Sequence, residues 1–252
     1  MKAPEVCLVV PCFNEGDRLP VDSFAAALTI GDCAFCFVND GSSDHTAAVL
    51  KQLQARAPEL IAVVDLQING GKAEAVRQGV LHAVAWRPFD FVGYWDADLA
   101  TPLSEVGRLV DAMRQQPECD FVLGSRVKRL GAFIQRSAVR HATGRMFATM
   151  ASVLLDLPAY DTQCGAKVLR APIAAKLFAD PFVTRWLFDL ELLVRLRHLR
   201  GASGLSAAVE VPLGEWRDVR GSKLALWSML KSPLDLLRIR RHYRSQESGI
   251  RN

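Results

Sequence analysis

The stretch Phe89-Asp90-Phe91-Val92-Gly93-Tyr94-Trp95-Asp96-Ala97-Asp98 decides the fold. Its apolar run, Phe89–Trp95, reads as a buried strand. Two carboxylates, Asp96 and Asp98, leave that strand together, at the edge where an open α/β sheet puts its ligands. Acids so close to a core need compensation, and a divalent cation supplies it. A cation held there implies a phosphate-bearing substrate.

Outward from this strand, short apolar runs alternate with helical patterns. Strands are predicted at Val6–Val10, Ala34–Val38, Ile61–Val64 and Asp120–Leu123. Helices are predicted at Leu19–Leu28, at Asp44–Ala57 with Asp44 as cap, and at Lys72–Trp86. Another runs from Pro102 to about Gln116, with Thr101 as its cap. This is an α/β chain with a Rossmann-like, mostly parallel central sheet and helices on both faces. After Arg126 the pattern changes. Val127–Gln135 reads as a mobile loop, Ala138–Leu157 as a long helix and Tyr160–Lys167 as a polar interruption. Pro172–Phe178, the helix Phe188–Leu199 and the strand Ala207–Val211 follow. One continuous domain is expected over 1–225, then a basic amphipathic tail over 226–252.

Half of the 252 residues are apolar, enough for a sizeable core and too many for a disordered chain. Cys33 and Cys36 have CxxC spacing, but no second pair or close histidine completes a zinc site, so they read as core thiols. The six scattered cysteines suit a reducing compartment. No signal-like start and no uncharged apolar window near about 18 residues is visible. A cytoplasmic protein is expected. Net charge is +4, yet Arg220–Arg251 carries eight Lys or Arg against Asp235 and Glu247. With Leu224, Trp227, Leu230, Leu234 and Leu237 at helical spacing, the tail suits either a peripheral membrane surface on the cytoplasmic face or its own core.

Several loops point at the same sheet edge. Pro11-Cys12-Phe13-Asn14-Glu15 presents an amide and a carboxylate to a base or ribose, or else caps a helix. Asp40, before Gly41, can accept from a uracil imino N–H or ribose hydroxyls, or form a turn. Asn69-Gly70-Gly71-Lys72 is no Walker A loop, but its N–H groups and lysine suit phosphate. Asp98 is the expected direct ligand of Mg²⁺ or Mn²⁺, with Asp96 reaching a water, the ribose or the metal. Arg126 and Arg140 suit a second phosphate. Asp161–Lys167, Trp186–Glu191 and Gly221-Ser222-Lys223 together resemble the wall of an acceptor site.

The motifs PCFNE, VNDGSSD, NGGKAEAVRQG, DADLATP, GSR, DTQCGAK, WLFDLE and WRDVRGSK occur in that order. Over roughly residues 6–225 the chain resembles inverting family 2 glycosyltransferases of GT-A fold, most of all the dolichyl- or polyprenyl-phosphate β-glucosyltransferases. That resemblance implies a GT-A catalytic domain that transfers a hexose, glucose favoured, from a UDP- or GDP-sugar to a lipid phosphate. It implies that Pro11, Asn14, Glu15, Asp40 and Lys72 line the nucleoside pocket. Asp96 and Asp98 would hold ribose and metal–diphosphate, and Lys223 would reach the diphosphate. Arg126 and Arg140 would meet the acceptor phosphate, with Gln163 and Glu191 on the sugar and acceptor side. Asn39 departs from the family's frequent DDGS. Ala100 stands where mannosyl enzymes often carry a metal-binding Gln, which favours glucose.

An acceptor phosphate is already ionised and needs positioning; a hydroxyl acceptor needs a base, for which Asp189 or Glu191 is the candidate. Expected partners are a nucleotide sugar and a lipid phosphate, not nucleic acid. The alternatives are a family 2 transferase acting on a hydroxyl of a glycan or small metabolite, a sugar-1-phosphate nucleotidyltransferase, and a non-catalytic sugar-nucleotide sensor.

Overall fold

The computed structural model describes residues 4–30, 33–135, 138–201, 204–219 and 226–249. The first half alternates strictly: β1 (Val6–Cys12), α1 (Val21–Ile30), β2 (Cys33–Asp40), α2 (Thr46–Arg56), β3 (Ile61–Leu66), α3 (Lys72–Trp86), β4 (Phe91–Trp95), α4 (Glu105–Gln115) and β5 (Phe121–Ser125). Then come β6 (Phe133–Gln135), α5 (Ala138–Leu155), β7 (Ala166–Arg170), α6 (Ala171–Leu177) and α7 (Phe188–Arg200). A 3-10 turn at Gly204–Ala207 leads to β8 (Ala208–Pro212), β9 (Glu215–Arg217) and α8 (Leu226–Gly249).

Seven strands form the main sheet in the order β3-β2-β1-β4-β7-β5-β8. All neighbours are parallel except β7, which runs antiparallel to both β4 and β5. Helices cover both faces. Phe24, Leu50, Leu53 and Leu109 bring α1, α2 and α4 onto one face. Val76, Leu177, Leu193 and Ile239 bring α3, α6, α7 and α8 onto the other. The predicted α/β architecture is present. Strand order reverses between β1 and β4, so a crevice opens beyond their carboxyl ends. Because β7 is antiparallel, its amino end lies at that same edge. The residues before it, Asp161–Gly165, are thereby delivered to the crevice.

Some local expectations need correction. The α4 helix begins at Glu105, not Pro102, and Thr101 is buried with its carbonyl accepting from Trp95 Nε1 at 2.7 Å. The α2 helix begins at Thr46, with Asp44 Oδ1 accepting from the Thr46 N–H at 2.9 Å. Part of the expected loop Val127–Gln135 is β6, which pairs with β9. Within Tyr160–Lys167, Ala166 and Lys167 already belong to β7. On α8 the core-facing residues are Leu236, Ile239 and Tyr243, whereas Leu234 and Leu237 of the expected apolar face are exposed. Leu224 and the side chains of Trp227 and Leu230 lie outside the described residues. The Cys36 thiol is fully buried, and burial pushes its pKa up to about 12, as expected of a core residue.

Candidate active site

Asp96 follows β4 directly and donates its backbone N–H to the Gly165 carbonyl at 3.0 Å. Its Oδ1 accepts from Lys72 Nζ, at the start of α3, at 2.6 Å. Burial pushes the Asp96 pKa up, but Lys72, with Lys167 and Arg126 beyond it, outweighs this and holds it below the ordinary value. A side chain at position 165 would put its Cβ 1.8 Å from Asp96 Oδ2, so only glycine leaves room for this carboxylate.

Asp98 differs. Its Oδ1 accepts from the Ala100 N–H at 3.1 Å, and among the described residues it forms no ion pair. Burial first, then the negative charges of Asp96 and Glu15, raise its pKa despite the Ala100 bond and Lys72. It is a carboxylate short of positive charge, at the mouth of a crevice. That donor chemistry fits a hard divalent cation. The described residues contain no cluster of three or more His, Cys, Asp or Glu, so diphosphate oxygens and water would complete such a shell.

Behind the pair lies a buried network. Asp189, in the first turn of α7, accepts on Oδ1 from the Tyr94 hydroxyl at 2.5 Å and from Lys167 Nζ at 2.7 Å. Burial, then Asp189, raise the Tyr94 pKa well above its ordinary value, so the phenol stays a donor. Burial lowers the Lys72 pKa, but Asp96, Asp189 and Asp98 outweigh it and keep the ammonium charged.

The loops after β1 and β2 brace each other. Asn14, at φ +51°, accepts from the Ser43 N–H at 2.9 Å, and its own N–H meets Ser42 Oγ at 2.9 Å. Glu15 donates its N–H to Thr46 Oγ1 at 2.8 Å and pairs with Arg18 at 3.2 Å. Pro11 is half-buried on β1, opposite Val38. Asp40, expected at the nucleoside, accepts from Gly70 N–H at 2.7 Å, Gly71 N–H at 2.9 Å and Asn69 Nδ2 at 3.0 Å. Its first task is to shape the loop that carries Lys72.

On the acceptor side the arginine expectation changes. Arg126 gives Nε to Asp161 Oδ2 at 2.7 Å, Nη2 to Oδ1 at 2.6 Å and its backbone N–H to Oδ2 at 3.0 Å. The fork that was to hold an acceptor phosphate is occupied by Asp161. Glu210 fixes Asp161 and Tyr160 in turn by accepting both N–H groups at 2.7 Å. In the same two segments, Ser125 Oγ, Thr162 Oγ1 and Gln163 Nε2 are buried with no hydrogen-bond partner among the described residues. An unmet buried polar atom costs about 1–3 kcal/mol, so these atoms suit a bound substrate or water. Arg140 lies on α5 with its side chain outside the described set, and Lys223 lies outside the described residues. Glu191 is fully buried and faces Val183, Arg195 and Tyr243 instead of the crevice.

Residues 7–178 match the model of Glycosyl transferase family 2. The chain belongs to glycosyltransferase family 2. It is 32% identical over 259 residues to a dolichyl-phosphate beta-glucosyltransferase of Mus musculus, covering 95% of this chain and 76% of the relative. The Drosophila melanogaster enzyme of that name is 33% identical over 255 residues, covering 93% and 74%. Among solved structures, the glucosyl-3-phosphoglycerate synthase of Mycobacterium tuberculosis with UDP superposes with TM-score 0.67 at 19% identity, covering 94% of this chain and 80% of that one. The same synthase with Mn²⁺ and UDP-glucose also gives 0.67, covering 94% and 79%. The fold is therefore the GT-A fold, and the protein is a glycosyltransferase; the nucleotidyltransferase and sensor readings fall away.

Within this family 2 enzyme, sequence reasoning missed Lys167 and Asp161 as partners of the proposed residues. Lys167 is a fully buried lysine within β7, a placement that local pattern hides. Its one signal was its place in the ordered motif DTQCGAK. Tyr94 sat in the quoted strand, two residues before Asp96 and so on the same face.

Proposed function

We propose that this glycosyltransferase moves glucose from UDP-glucose, with inversion and with the help of Mg²⁺ or Mn²⁺, to an acceptor that carries phosphate. The observation that carries the donor half is the Lys72–Asp96 pair beside the cation-poor Asp98 at the sheet's switch point. Solved structures of the same fold hold UDP-glucose and Mn²⁺, which supports this reading. A bound divalent cation would neutralise the diphosphate leaving group. Asp98 would hold it, with Asp96 at the ribose or the metal. Lys72, kept charged and fixed by Asp96, would add a second positive charge without reorganising. Pro11, Asn14, Glu15 and Asp40 would shape the nucleoside end.

The acceptor divides the reading in two. Sequence relatives named for dolichyl phosphate favour a polyprenyl phosphate. Solved relatives crystallised with phosphoglyceric acid and with glucosyl-3-phosphoglycerate favour a hydroxyl on a small phosphorylated metabolite. Both would bring an anionic group to the edge where Ser125, Thr162 and Gln163 keep unmet polar atoms. For a hydroxyl, Asp189 Oδ2 is the oxygen left to take the proton, since Oδ1 is held by Tyr94 and Lys167. In the lipid reading, residues 1–225 form the catalytic domain and α8 rests on an anionic membrane surface through Leu234, Leu237 and Arg238, all exposed. No helix among the described residues is long and apolar enough to cross a membrane.

A screen of UDP- and GDP-sugars against polyprenyl phosphate, phosphoglycerate and neutral glycans tests this. Glucose transfer from UDP-glucose to a phosphate-bearing acceptor is expected. Transfer from GDP-sugars alone, or only to neutral glycans, would overturn it.

A further inference from the structure

Glu191 is a carboxylate with no solvent exposure, away from the reacting edge, yet it lies at the centre of a dense network. Its Oε1 and Oε2 accept from the Val183 N–H at 3.1 and 3.0 Å. Oε1 also accepts from Arg195 Nη2 at 2.9 Å and from the Tyr243 hydroxyl at 2.8 Å. That hydroxyl accepts in turn from Arg195 Nε at 2.8 Å. Arg195 spends its remaining donors on the carbonyls of Leu177, Asp180 and Pro181, each at 2.7–2.8 Å. The chain from 177 to 183 is thus pinned by α7 from within and by α8 from behind.

The segment this network fixes runs straight to the donor loop. Two residues past Val183, Arg185 donates Nε to the Gly70 carbonyl at 3.1 Å. Its Nη2 reaches the Asn69 carbonyl at 2.9 Å and Asn69 Oδ1 at 2.7 Å. The Arg185 carbonyl accepts from the Ala73 N–H at 3.2 Å. Trp186 lies with its ring centre 5.6 Å from Lys72 Nζ. Asp40 holds the other side of the same loop. Between them Gly71 has φ +88°, and a Cβ there would fall 2.8 Å from Arg185 Nε. The loop is gripped from both sides with no slack.

We propose that Glu191 is a positioning residue that sets donor affinity. Anchored by Tyr243 of the C-terminal helix, it holds the 177–187 segment so that Arg185 and Trp186 clamp Asn69–Lys72 in the shape that receives the nucleotide diphosphate. The C-terminal helix thereby acts on the donor site without touching it. The proposal rests on the donor-site reading given above, in which Lys72 meets the diphosphate.

Calorimetric titration of UDP with Mn²⁺ into the protein tests it. Tyr243→Phe keeps the ring's packing and removes the hydroxyl; Arg185→Ala removes the clamp. Each is expected to weaken UDP binding roughly 2- to 30-fold, the span of mutations along a coupled network. The double variant is expected to bind no more weakly than Arg185→Ala alone, because the two act in series. In turnover, the KM for the donor sugar rises in Tyr243→Phe while kcat and the acceptor KM hold. A wild-type UDP affinity in Tyr243→Phe, even with a lowered thermal midpoint, would overturn the proposal. So would fully additive losses. Lys72→Ala separates the two levels: it loses UDP binding whether or not the clamp exists. If it binds UDP normally, the donor-site reading falls, and the clamp with it.

Discussion

Asp96 and Asp98 are two residues apart and electrostatically opposite. Lys72 neutralises the first and holds its pKa down; burial and the first aspartate leave the second starved of positive charge. Because the Asp96 pKa is lower folded than unfolded, the Lys72–Asp96 pair stabilises the protein above the ordinary carboxylate range, near about 4. That contribution is lost as pH falls through the folded value. Lys72→Met is therefore expected to flatten the acid limb of a stability–pH curve measured by urea unfolding; an acid limb as steep as the wild type's would contradict the pairing. Gly165 is the second lever at this scale. A methyl group there meets Asp96 Oδ2 at 1.8 Å, so Gly165→Ala must displace the carboxylate. Overpacking of this kind costs about 1–3 kcal/mol. A misplacement of about 1 Å costs about 100-fold in turnover. Steady-state transfer at wild-type rate in Gly165→Ala would show that Asp96 does not need its present position.

At the scale of elements, the parallel strands and their helices were legible because continuous apolar runs such as Leu8–Val10 and Phe35–Val38 announce strands buried on both faces. The strand β7 was not. Its second residue is Lys167, a fully buried lysine that breaks the apolar pattern and is made tolerable by Asp189, 22 positions away, and by the Cys164 carbonyl. The pairing of Arg126 was hidden for a related reason: Asp161, its partner, is 35 positions distant and arrives only because β7 is antiparallel. The residue types of the candidate site were readable from sequence, and their commitments to one another were not. Likewise Glu191 showed its chemistry but not its direction, since residues two apart on α7 face different ways, Asp189 to Tyr94 and Glu191 to Tyr243. On α8, periodicity placed the helix, but Leu234 and Leu237 of the expected apolar face are exposed while Leu236, Ile239 and Tyr243 face the core.

For the molecule as a whole, one sheet edge gathers the loops after β1 and β2, the acidic pair and the Asp161–Gly165 segment. The packed face of α8 meets it indirectly, through Tyr243 and Glu191. The opposite face, with Leu234, Leu237 and Arg238, gives a prediction that belongs to this scale. The protein is expected to sediment with vesicles rich in anionic lipid, and the double variant Leu234→Ser/Leu237→Ser to remain in the supernatant. Equal sedimentation of both would remove α8 from any membrane role. The central claim is that Asp98 holds the cation that lets glucose leave UDP. Its most direct measurement is transfer of labelled glucose from UDP-glucose to polyprenyl phosphate and to phosphoglycerate, with Mn²⁺, with chelator, and in Asp98→Ala. Transfer to at least one acceptor is predicted with Mn²⁺, with loss of nearly all of it in chelator and in Asp98→Ala. Undiminished transfer by Asp98→Ala, or by the wild type without metal, would contradict the account.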